Sequence, residues 1–313
     1  MADPPRRTVS ELIRHLRGLG LLAPWLAWLL AADILLSLML PLKFLKPDLA
    51  YNLSSRIAYS VWRWIQYTFE KQNGAVITSS GDKLPTGESA IVVSNHVSWS
   101  DFYMIQALAI RAGMLGRCRW FAKVQLRMVP FLGWGLWVMG MPLVSRNWLK
   151  DKAELDRVFN GITKRRWPTW LISFSEATRF TQKKYLESTE WCSANNKPQP
   201  RHLLYPRVKG FVSTVQHLRK SPHVKAVYDL TIAYQRGKQW HVGPSMWETL
   251  SCPRLSEPLS LGGKGYKFHV HTRRFELGDL PEDDEGLAKW LEQRWVEKGE
   301  WLEEKRKEWA ASR

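Results

Sequence analysis

A short apolar segment that ends in a polar turn most constrains how this chain can fold. Residues 90–93 are apolar and partly β-branched, a pattern typical of a buried strand. Asn95 and His96 follow directly, and residues 99–110 then have the spacing of apolar side chains that a helix requires. The sequence therefore predicts a strand–turn–helix unit with a polar pair at the edge of a sheet.

The polar turn contains a candidate acid–base pair. Asp101 lies five residues after His96, in the first turn of the predicted helix. With His96 in the loop, the Asp101 carboxylate can accept its Nδ1 proton, which leaves Nε2 free to take a proton from a hydroxyl. Alternatively, Ser98 is the helix N-cap and Asp101 completes a capping box beside a structural histidine. The capping box explains Asp101 but not Asn95 and His96, and these residues alone leave both interpretations open.

Strand-like and helix-like segments alternate from residue 75 onward. Strands are predicted at residues 75–79, 90–94, 118–123, 139–144, 169–174, 224–234 and 267–274. Helices are predicted at residues 99–110, 152–163, 208–218 and 281–313. This alternation indicates an α/β fold with a mixed, largely parallel sheet flanked by helices. The predicted organisation is a membrane-associated helical region at 1–70, the α/β domain at 71–280 and a C-terminal amphipathic helix at 281–313.

Residues 19–40 form a nearly continuous apolar segment, which is long enough to cross a bilayer. It starts too late and runs too long for a cleavable signal peptide. Pro24 and Asp33 interrupt it, so a re-entrant hairpin or an interfacial helix is an alternative to a membrane span. Basic residues lie on both sides, so the positive-inside rule does not fix its orientation. We predict an N-terminal membrane-embedded helical segment.

The composition indicates an anionic partner. The net charge is +17, from 46 Lys and Arg against 29 Asp and Glu, and the 18 Trp residues favour a membrane–water interface over nucleic acid. No Walker loop or Gly-x-Ser-x-Gly elbow is present, and the three Cys lack the spacing of a metal site. A non-catalytic basic membrane- or nucleic-acid-binding protein would also explain the charge, but it would need nothing special at His96 and Asp101.

Four further segments combine cationic side chains with glycine or proline, or follow a predicted strand. They read, in order, AKVQL with PFLGW at residues 122–134, VSR at 144–146, FSEATRF at 174–180 and LLYPRVKGF at 203–211. Arg179 offers a bidentate fork to a phosphate, and Glu176 can orient that arginine or bond a hydroxyl of the substrate. These segments therefore suit an anionic, phosphate-bearing substrate.

Together with the Asn-His-x4-Asp segment, these blocks resemble the ordered motifs of the glycerolipid acyltransferase family, in its eukaryotic lysophosphatidic acid and lysophospholipid acyltransferase branch. The resemblance covers roughly residues 75 to 300 and implies that His96 is the general base, oriented by Asp101. It also implies a substrate-binding set: Asn95, Lys123, Arg146, Glu176, Thr178, Arg179, Pro206, Arg207 and Lys209. Gln125 stands where the family has Glu, and Ala177 where it has Gly. A degenerate, inactive member is therefore an alternative.

The resemblance implies transfer of a fatty acyl group from acyl-CoA to the sn-2 hydroxyl of 1-acyl-sn-glycerol 3-phosphate, which gives phosphatidic acid. Another lysophospholipid, such as lysophosphatidylinositol or lysocardiolipin, is the alternative acceptor. No metal or cofactor is expected beyond acyl-CoA as co-substrate. The expected partners are acyl-CoA, a lysophospholipid and a lipid bilayer, without nucleic acid, and the expected location is the endoplasmic reticulum membrane.

Overall fold

The structure, a computed structural model, describes residues 9–145 and 148–311, without the side chains of residues 148–150. A mixed sheet forms its centre, with the strand order β1-β9-β7-β2-β6-β3 and a short β8 beside β7. A second, two-stranded sheet joins β4 to β5. The strands are β1 (Ile77–Gly81), β2 (Ser89–Ser94), β3 (Cys118–Trp120), β4 (Ala122–Lys123), β5 (Leu143–Val144), β6 (Trp170–Phe174), β7 (Val224–Arg236), β8 (Gln239–Trp240) and β9 (Tyr266–Glu276).

The strands at the middle of the sheet run in one direction. β2 pairs in parallel with β6 on one side and with β7 on the other, and β3 is parallel to β6. Antiparallel pairing occurs between β7 and β9, and β1 is parallel to β9. The predicted α/β fold with a mixed, largely parallel sheet is confirmed. Because β2, β3, β6 and β7 are parallel, their carboxyl ends meet at one edge of the sheet, where ligands of parallel sheets usually bind.

Helices cover both faces of this sheet. They are α1 (Val9–Leu38), α2 (Leu40–Leu45), α3 (Pro47–Tyr67), α4 (Asp101–Arg111), α5 (Leu132–Val138), α6 (Trp148–Arg165), α7 (Gln182–Ala194), α8 (Val208–Leu218), α9 (Met246–Ser251) and α10 (Asp284–Ala311). The strand β2 is buried along its whole length: Ala90 and Val92 pack into one apolar cluster, and Ile91 and Val93 into the other. A strand covered on both faces needs apolar side chains at successive positions, which explains its uninterrupted apolar sequence.

Two predicted strands differ from the structure. The segment 118–123 is divided, because β4 leaves the main sheet and Ala122 pairs with Leu143 of β5. The segment 139–144 is a strand only over β5. Gly140 adopts a positive φ of 78°, and Pro142 has no N–H for a ladder, so a turn precedes the strand.

The N-terminal apolar segment forms part of one continuous helix, α1, although Pro24 lies inside it. This helix is long and apolar enough to cross a membrane. It also contacts the rest of the chain along its length: Arg17 Nη2 donates to the Gln72 carbonyl at 2.8 Å, and Trp25 Nε1 to the Val61 carbonyl at 3.1 Å. Asp33 is buried against α5. The carboxylate that interrupts the apolar segment therefore faces protein, and the helix does not turn back as a hairpin.

Candidate active site

His96 and Asp101 meet where β2 ends and α4 begins. Nδ1 of His96 lies 2.7 Å from Oδ2 of Asp101. The Asp101 side chain is fully buried, and the imidazole keeps 14% of its surface exposed. The carboxylate occupies Nδ1, so Nε2 is the ring nitrogen left to exchange a proton with a substrate.

The Asp101 carboxylate also holds the turn that carries His96. Its Oδ2 accepts the backbone N–H groups of Val97 at 2.7 Å and Ser98 at 3.0 Å. The carboxylate thus bonds backbone amides in the manner of a capping box and orients the histidine, so the two interpretations of Asp101 are compatible. The predicted N-cap at Ser98 is wrong: α4 begins two residues later, with Ser100 at the N-cap, because the Ser98 hydroxyl instead donates to the Pro244 carbonyl.

Two aromatic residues complete the environment of this pair. The Phe174 ring stacks on the His96 imidazole, with centroids 4.0 Å apart and an interplanar angle of 11°. The Tyr234 hydroxyl donates to Oδ1 of Asp101 at 2.8 Å. Burial, together with the Asp101 charge, holds the pKa of Tyr234 well above its ordinary value, so this hydroxyl remains a donor. Sequence analysis assigned no role to Tyr234.

Asn95 has a different place from the one that the family resemblance implied. Its side chain is fully buried, and Nδ2 donates to the Ile232 carbonyl at 3.0 Å while Oδ1 accepts the Ile232 N–H at 2.7 Å. Both halves of the amide are therefore occupied by β7. Asn95 locks the end of β2 to β7 and so fixes where His96 emerges, instead of facing a substrate.

Glu176 is buried directly behind the turn that carries His96. Its Oε1 accepts the His96 N–H at 3.3 Å, and its Oε2 accepts the Leu204 N–H at 3.4 Å. Burial raises the pKa of Glu176 to about 8, the two backbone N–H groups oppose this, and the Asp101 charge adds to it. Glu176 therefore ties three chain segments together. Ala177, next to it, has a φ of 58°, the backbone conformation that explains glycine at this position in the family.

The Glu176→Gln variant should remove a pH dependence of stability. The raised pKa means that the folded chain keeps a proton which the unfolded chain releases, so between about pH 4.5 and pH 8 native stability falls as pH rises and then levels off. Glutamine cannot titrate, so the free energy of unfolding of the variant should lack this fall. The difference between the variant and the native protein should therefore increase in favour of the variant as the pH rises through this window. Chemical denaturation at several pH values measures it. The exposed Glu187→Gln variant is the control; equal slopes for all three proteins would contradict the assignment.

Two of the predicted cationic residues, Arg179 and Arg207, lie on segments that converge on the same edge. Phe180, which follows Arg179, donates its N–H to the His96 carbonyl at 2.7 Å, and the Arg207 N–H donates to the Ser175 carbonyl at 2.7 Å. The Arg179 and Arg207 side chains are exposed, as are those of Lys123 and Lys209. These backbone contacts anchor both arginine segments beside the catalytic turn.

The structure describes three further predicted residues, Lys123, Thr178 and Pro206. Lys123 belongs to β4 opposite Val144, in the small sheet, and Arg146, which follows that strand pair, lies outside the described residues. The Thr178 hydroxyl accepts a hydrogen bond from Lys184 Nζ at 2.5 Å. Pro206 is buried between the exposed Arg207 and the half-buried residue before it. Thr178 and Pro206 therefore shape the two loops.

A buried ion pair lies behind the site and was not predicted. Lys298 of α10 and Asp229 of β7 are both fully buried and paired, and Lys298 Nζ also donates to the Leu230 carbonyl at 2.6 Å. Burial lowers the pKa of Lys298 to about 8, although the Asp229 charge opposes this. In the sequence, Asp229 lies inside the apolar segment 224–234, and a carboxylate in such a segment indicates that a buried cation pairs with it. The pair fixes α10 against β7, three residues before the strand reaches Ile232.

The fold and the site define an α/β protein with a histidine–aspartate acid–base pair at the carboxyl edge of its parallel strands. The family model described as Acyltransferase matches residues 76–235, about half of the chain, and the one described as Acyltransferase C-terminus matches residues 260–306. The chain belongs to the acyltransferase family, and the resemblance to the glycerolipid acyltransferases is thereby confirmed.

Several curated proteins are similar to this chain. The 1-acyl-sn-glycerol-3-phosphate acyltransferase 3 of Arabidopsis thaliana is 32% identical over 216 residues, which are 69% of this chain and 53% of that protein. The human 1-acyl-sn-glycerol-3-phosphate acyltransferase delta is 34% identical over 69% of this chain and 53% of its own length. Lysocardiolipin acyltransferase 1 of Danio rerio is 26% identical over 83% of this chain and 63% of its own. The chain thus spans about half the length of the first of these relatives.

One solved structure is also similar: the 1-acyl-sn-glycerophosphate acyltransferase of Thermotoga maritima. It has 15% sequence identity and a TM-score of 0.47 over 88% of this chain and 95% of that one. Within residues 9–145 and 148–311, no group of three or more His, Cys, Asp or Glu side chains is placed to hold a metal ion.

Proposed function

We propose that this protein transfers a fatty acyl group from acyl-CoA to the sn-2 hydroxyl of 1-acyl-sn-glycerol 3-phosphate, which gives phosphatidic acid. The observation that carries the proposal is the buried Asp101 carboxylate on Nδ1 of a partly exposed His96, at the carboxyl edge of the sheet. Membership of the acyltransferase family and the names of the similar proteins support this reaction. The proposed reaction uses acyl-CoA as co-substrate and no further cofactor.

The geometry suits direct transfer between two substrates. His96 Nε2 takes the proton of the acceptor hydroxyl as the hydroxyl oxygen bonds to the thioester carbon. Asp101, on Nδ1, stabilises the imidazolium that forms. When the tetrahedral intermediate collapses, the carbon–sulfur bond breaks and the imidazolium returns its proton to the CoA thiolate. The products are the ester and the CoA thiol, and the histidine is neutral again.

The acceptor phosphate is proposed to bind the exposed cationic side chains around this edge. Arg179 and Arg207 lie on the two loops whose backbones are bonded to His96 and Ser175. A guanidinium presents two parallel N–H groups to a phosphate and so positions the acceptor as well as attracting it. Lys123 and Arg146 are proposed to add charge from the side of the small sheet.

A second acceptor is a specific alternative, because the similar proteins include a lysocardiolipin acyltransferase. The test is an acyl-CoA transfer assay on the purified full chain, with 1-acyl-sn-glycerol 3-phosphate, lysophosphatidylinositol and lysocardiolipin as separate acceptors. Preferential acylation of the first supports the proposed function, and preference for one of the others moves the assignment to that head group. Transfer to none of them would contradict an acyltransferase and favour a non-catalytic basic membrane-binding protein.

The apolar N-terminal helix marks a membrane protein, and we propose that it lies along the bilayer surface, in the endoplasmic reticulum. One side of α1 is bonded to the rest of the chain from Arg17 to Ser37, a contact that a helix crossing the bilayer away from the domain would lose. The opposite side exposes a row of leucine and isoleucine side chains, such as Leu26 and Leu30. An exposed apolar side of this kind, next to a side that packs on protein, is suited to contact with lipid.

The Leu30→Glu variant should weaken membrane binding by about tenfold or more, because a charged side chain is costly in the lipid interface. Vesicle flotation measures it. Leu186 of α7 is the matched control, since Leu30 and Leu186 are both 54% exposed and a new carboxylate has the same charge at either site. Equal losses for Leu30→Glu and Leu186→Glu would contradict a lipid-facing α1.

A further inference from the structure

A second cationic cavity lies at the end of the sheet away from His96. It has a volume of about 310 Å³ and is enclosed by α2, α3, α5, α6 and the edge strand β3. Sites for small molecules have volumes of roughly 300 to 1,000 Å³, so the cavity can hold a small polar group. Four cationic residues line it: Lys43, Arg119, Arg157 and Arg165. No carboxylate is among the described residues that line it.

Two of these cations have no carboxylate partner of their own. The fully buried guanidinium of Arg119 donates to the carbonyls of Gly116 and Cys118 and to the Ser55 hydroxyl, and its Nε bonds no group among the described residues. The Lys43 ammonium donates to two backbone carbonyls of α5 and lies 3.9 Å from the centre of the Trp137 ring. Buried charges are normally paired, so this arrangement lacks an anion.

The other two cations have acidic neighbours outside the cavity. Arg157 donates to Glu154, with Nη2 to Oε1 at 2.6 Å, and Arg165 lies 3.5 Å from the exposed Asp48 carboxylate. Even with these two carboxylates counted, the cavity keeps two uncompensated positive charges. Burial, followed by the Arg157 and Arg119 charges, lowers the pKa of Lys43 to about 7, whereas Glu154 raises it. An anion in the cavity would offset this repulsion.

The cavity is separate from the catalytic site. Thr169, immediately before β6, lines the cavity, whereas Glu176 follows the other end of the same strand. Five residues of extended strand span roughly 17 Å. Arg119 reaches the cavity from the middle of β3, whose residues pair with the first three residues of β6. A ligand at His96 therefore cannot also be the anion of this cavity.

The surroundings of the cavity point to a lipid source for the anion. Phe44 lines the cavity and is 73% exposed, and the next residue, Leu45, is 79% exposed. Both belong to α2, which follows directly from the apolar helix α1. Tyr51, Trp137 and Trp167 also line the cavity, and tyrosine and tryptophan favour the level of the lipid head groups.

We propose that this cavity binds the phosphate of an anionic phospholipid head group, at a site distinct from the one that holds the acyl acceptor. The Arg119 and Lys43 cations would receive the phosphate oxygens, and the aromatic rings would contact the glycerol and the start of the acyl chains. A head group bound there would hold the N-terminal helices at a fixed depth in the membrane and in a fixed position relative to the sheet.

The test compares two charge-matched variants of the full chain, Lys43→Gln and Lys83→Gln. Lys83 is exposed in the connection between β1 and β2, at the opposite side of the sheet from β3. Glutamine can still donate to the α5 carbonyls. The comparison is made below pH 7, where Lys43 is protonated, so both variants lose one positive charge and general attraction to an anionic surface changes equally. The probe is phosphatidylcholine vesicles with and without phosphatidylglycerol, which is neither substrate nor product of the proposed reaction. Thermal unfolding checks that each variant is folded.

We expect the preference for phosphatidylglycerol vesicles to fall about tenfold in Lys43→Gln, because a charge-assisted hydrogen bond is removed. In Lys83→Gln the preference should fall less than about twofold. Arg157→Gln should behave like Lys43→Gln. Calorimetric titration with inorganic phosphate distinguishes the source: phosphate binding that depends on Lys43, without a vesicle preference, supports a phosphate site filled from solution. Equal losses for the Lys43 and Lys83 variants, with no phosphate binding that depends on Lys43, would overturn the proposal.

Discussion

Replacing His96 with alanine should abolish acyl transfer and leave the chain folded. The imidazole is the partly exposed base at the sheet edge, and general-base catalysis contributes roughly 10²- to 10⁴-fold to the rate of such reactions. We expect kcat to fall by that factor in the acyl-CoA assay, with little change in KM for the lysophospholipid, because the exposed cationic residues that are proposed to bind its phosphate remain. The stacked Phe174 ring loses its partner, which should cost about 1–2 kcal/mol of stability.

The matched control is His217→Ala. His217 lies on α8 and is 43% exposed, beside the Asp156 carboxylate rather than a buried one. Its replacement should leave the rate within about twofold of the native value, because α8 holds His217 away from the proposed reacting groups. Activity of the His96→Ala protein equal to that of the control would remove the basis of the proposed mechanism, and a loss of the cooperative unfolding transition would instead show that the ring is structural.

The sequence was most informative where a single local requirement decides the structure. Residues 90–93 have to be apolar at every position because both faces of β2 are covered, and the predicted strand is found there. The helix predicted at residues 208–218 is found with those bounds, because its apolar spacing at Phe211, Val215 and Leu218 matches a buried helical face. The pairing of His96 with Asp101 depends on only five residues of chain, so local spacing was enough to indicate it as one of two interpretations, and the structure contains the pair.

The failures involve partners far apart in the sequence. Asn95 looked functional because a polar residue at a strand end usually is, yet Ile232, 137 residues away, occupies its whole amide. Tyr234 reaches Asp101 across 133 residues, and no local pattern distinguishes it from a core tyrosine. Lys298 lies in a helix with many charged residues, where a solvated lysine is the normal expectation, and only the packing of α10 against β7 buries it.

The second large effect is expected from Asp101→Asn, which removes a charge with little change of shape. The two carboxylate oxygens have separate tasks: Oδ2 accepts His96 Nδ1 and two backbone N–H groups, and Oδ1 accepts the Tyr234 hydroxyl. The asparagine oxygen can take the place of Oδ2, and its NH₂ group can donate to the Tyr234 hydroxyl, which is also an acceptor. The tautomer of His96 and the turn should therefore be kept.

The missing charge should act on the reaction rather than on the fold. The imidazolium that forms when His96 takes the acceptor proton loses its buried counter-charge, so we expect kcat to fall by roughly 10²-fold or more, with KM nearly unchanged. Asp101→Ala should instead unfold more easily, because it leaves buried donors unpaired. Tyr234→Phe separates the effect of the charge from that of orientation, because it keeps the carboxylate and removes one hydrogen bond. Its kcat should therefore fall by about tenfold or less. Equal rates for Asp101→Asn and Tyr234→Phe would mean that Asp101 only positions the turn, and the negative charge would then have no part in the transfer.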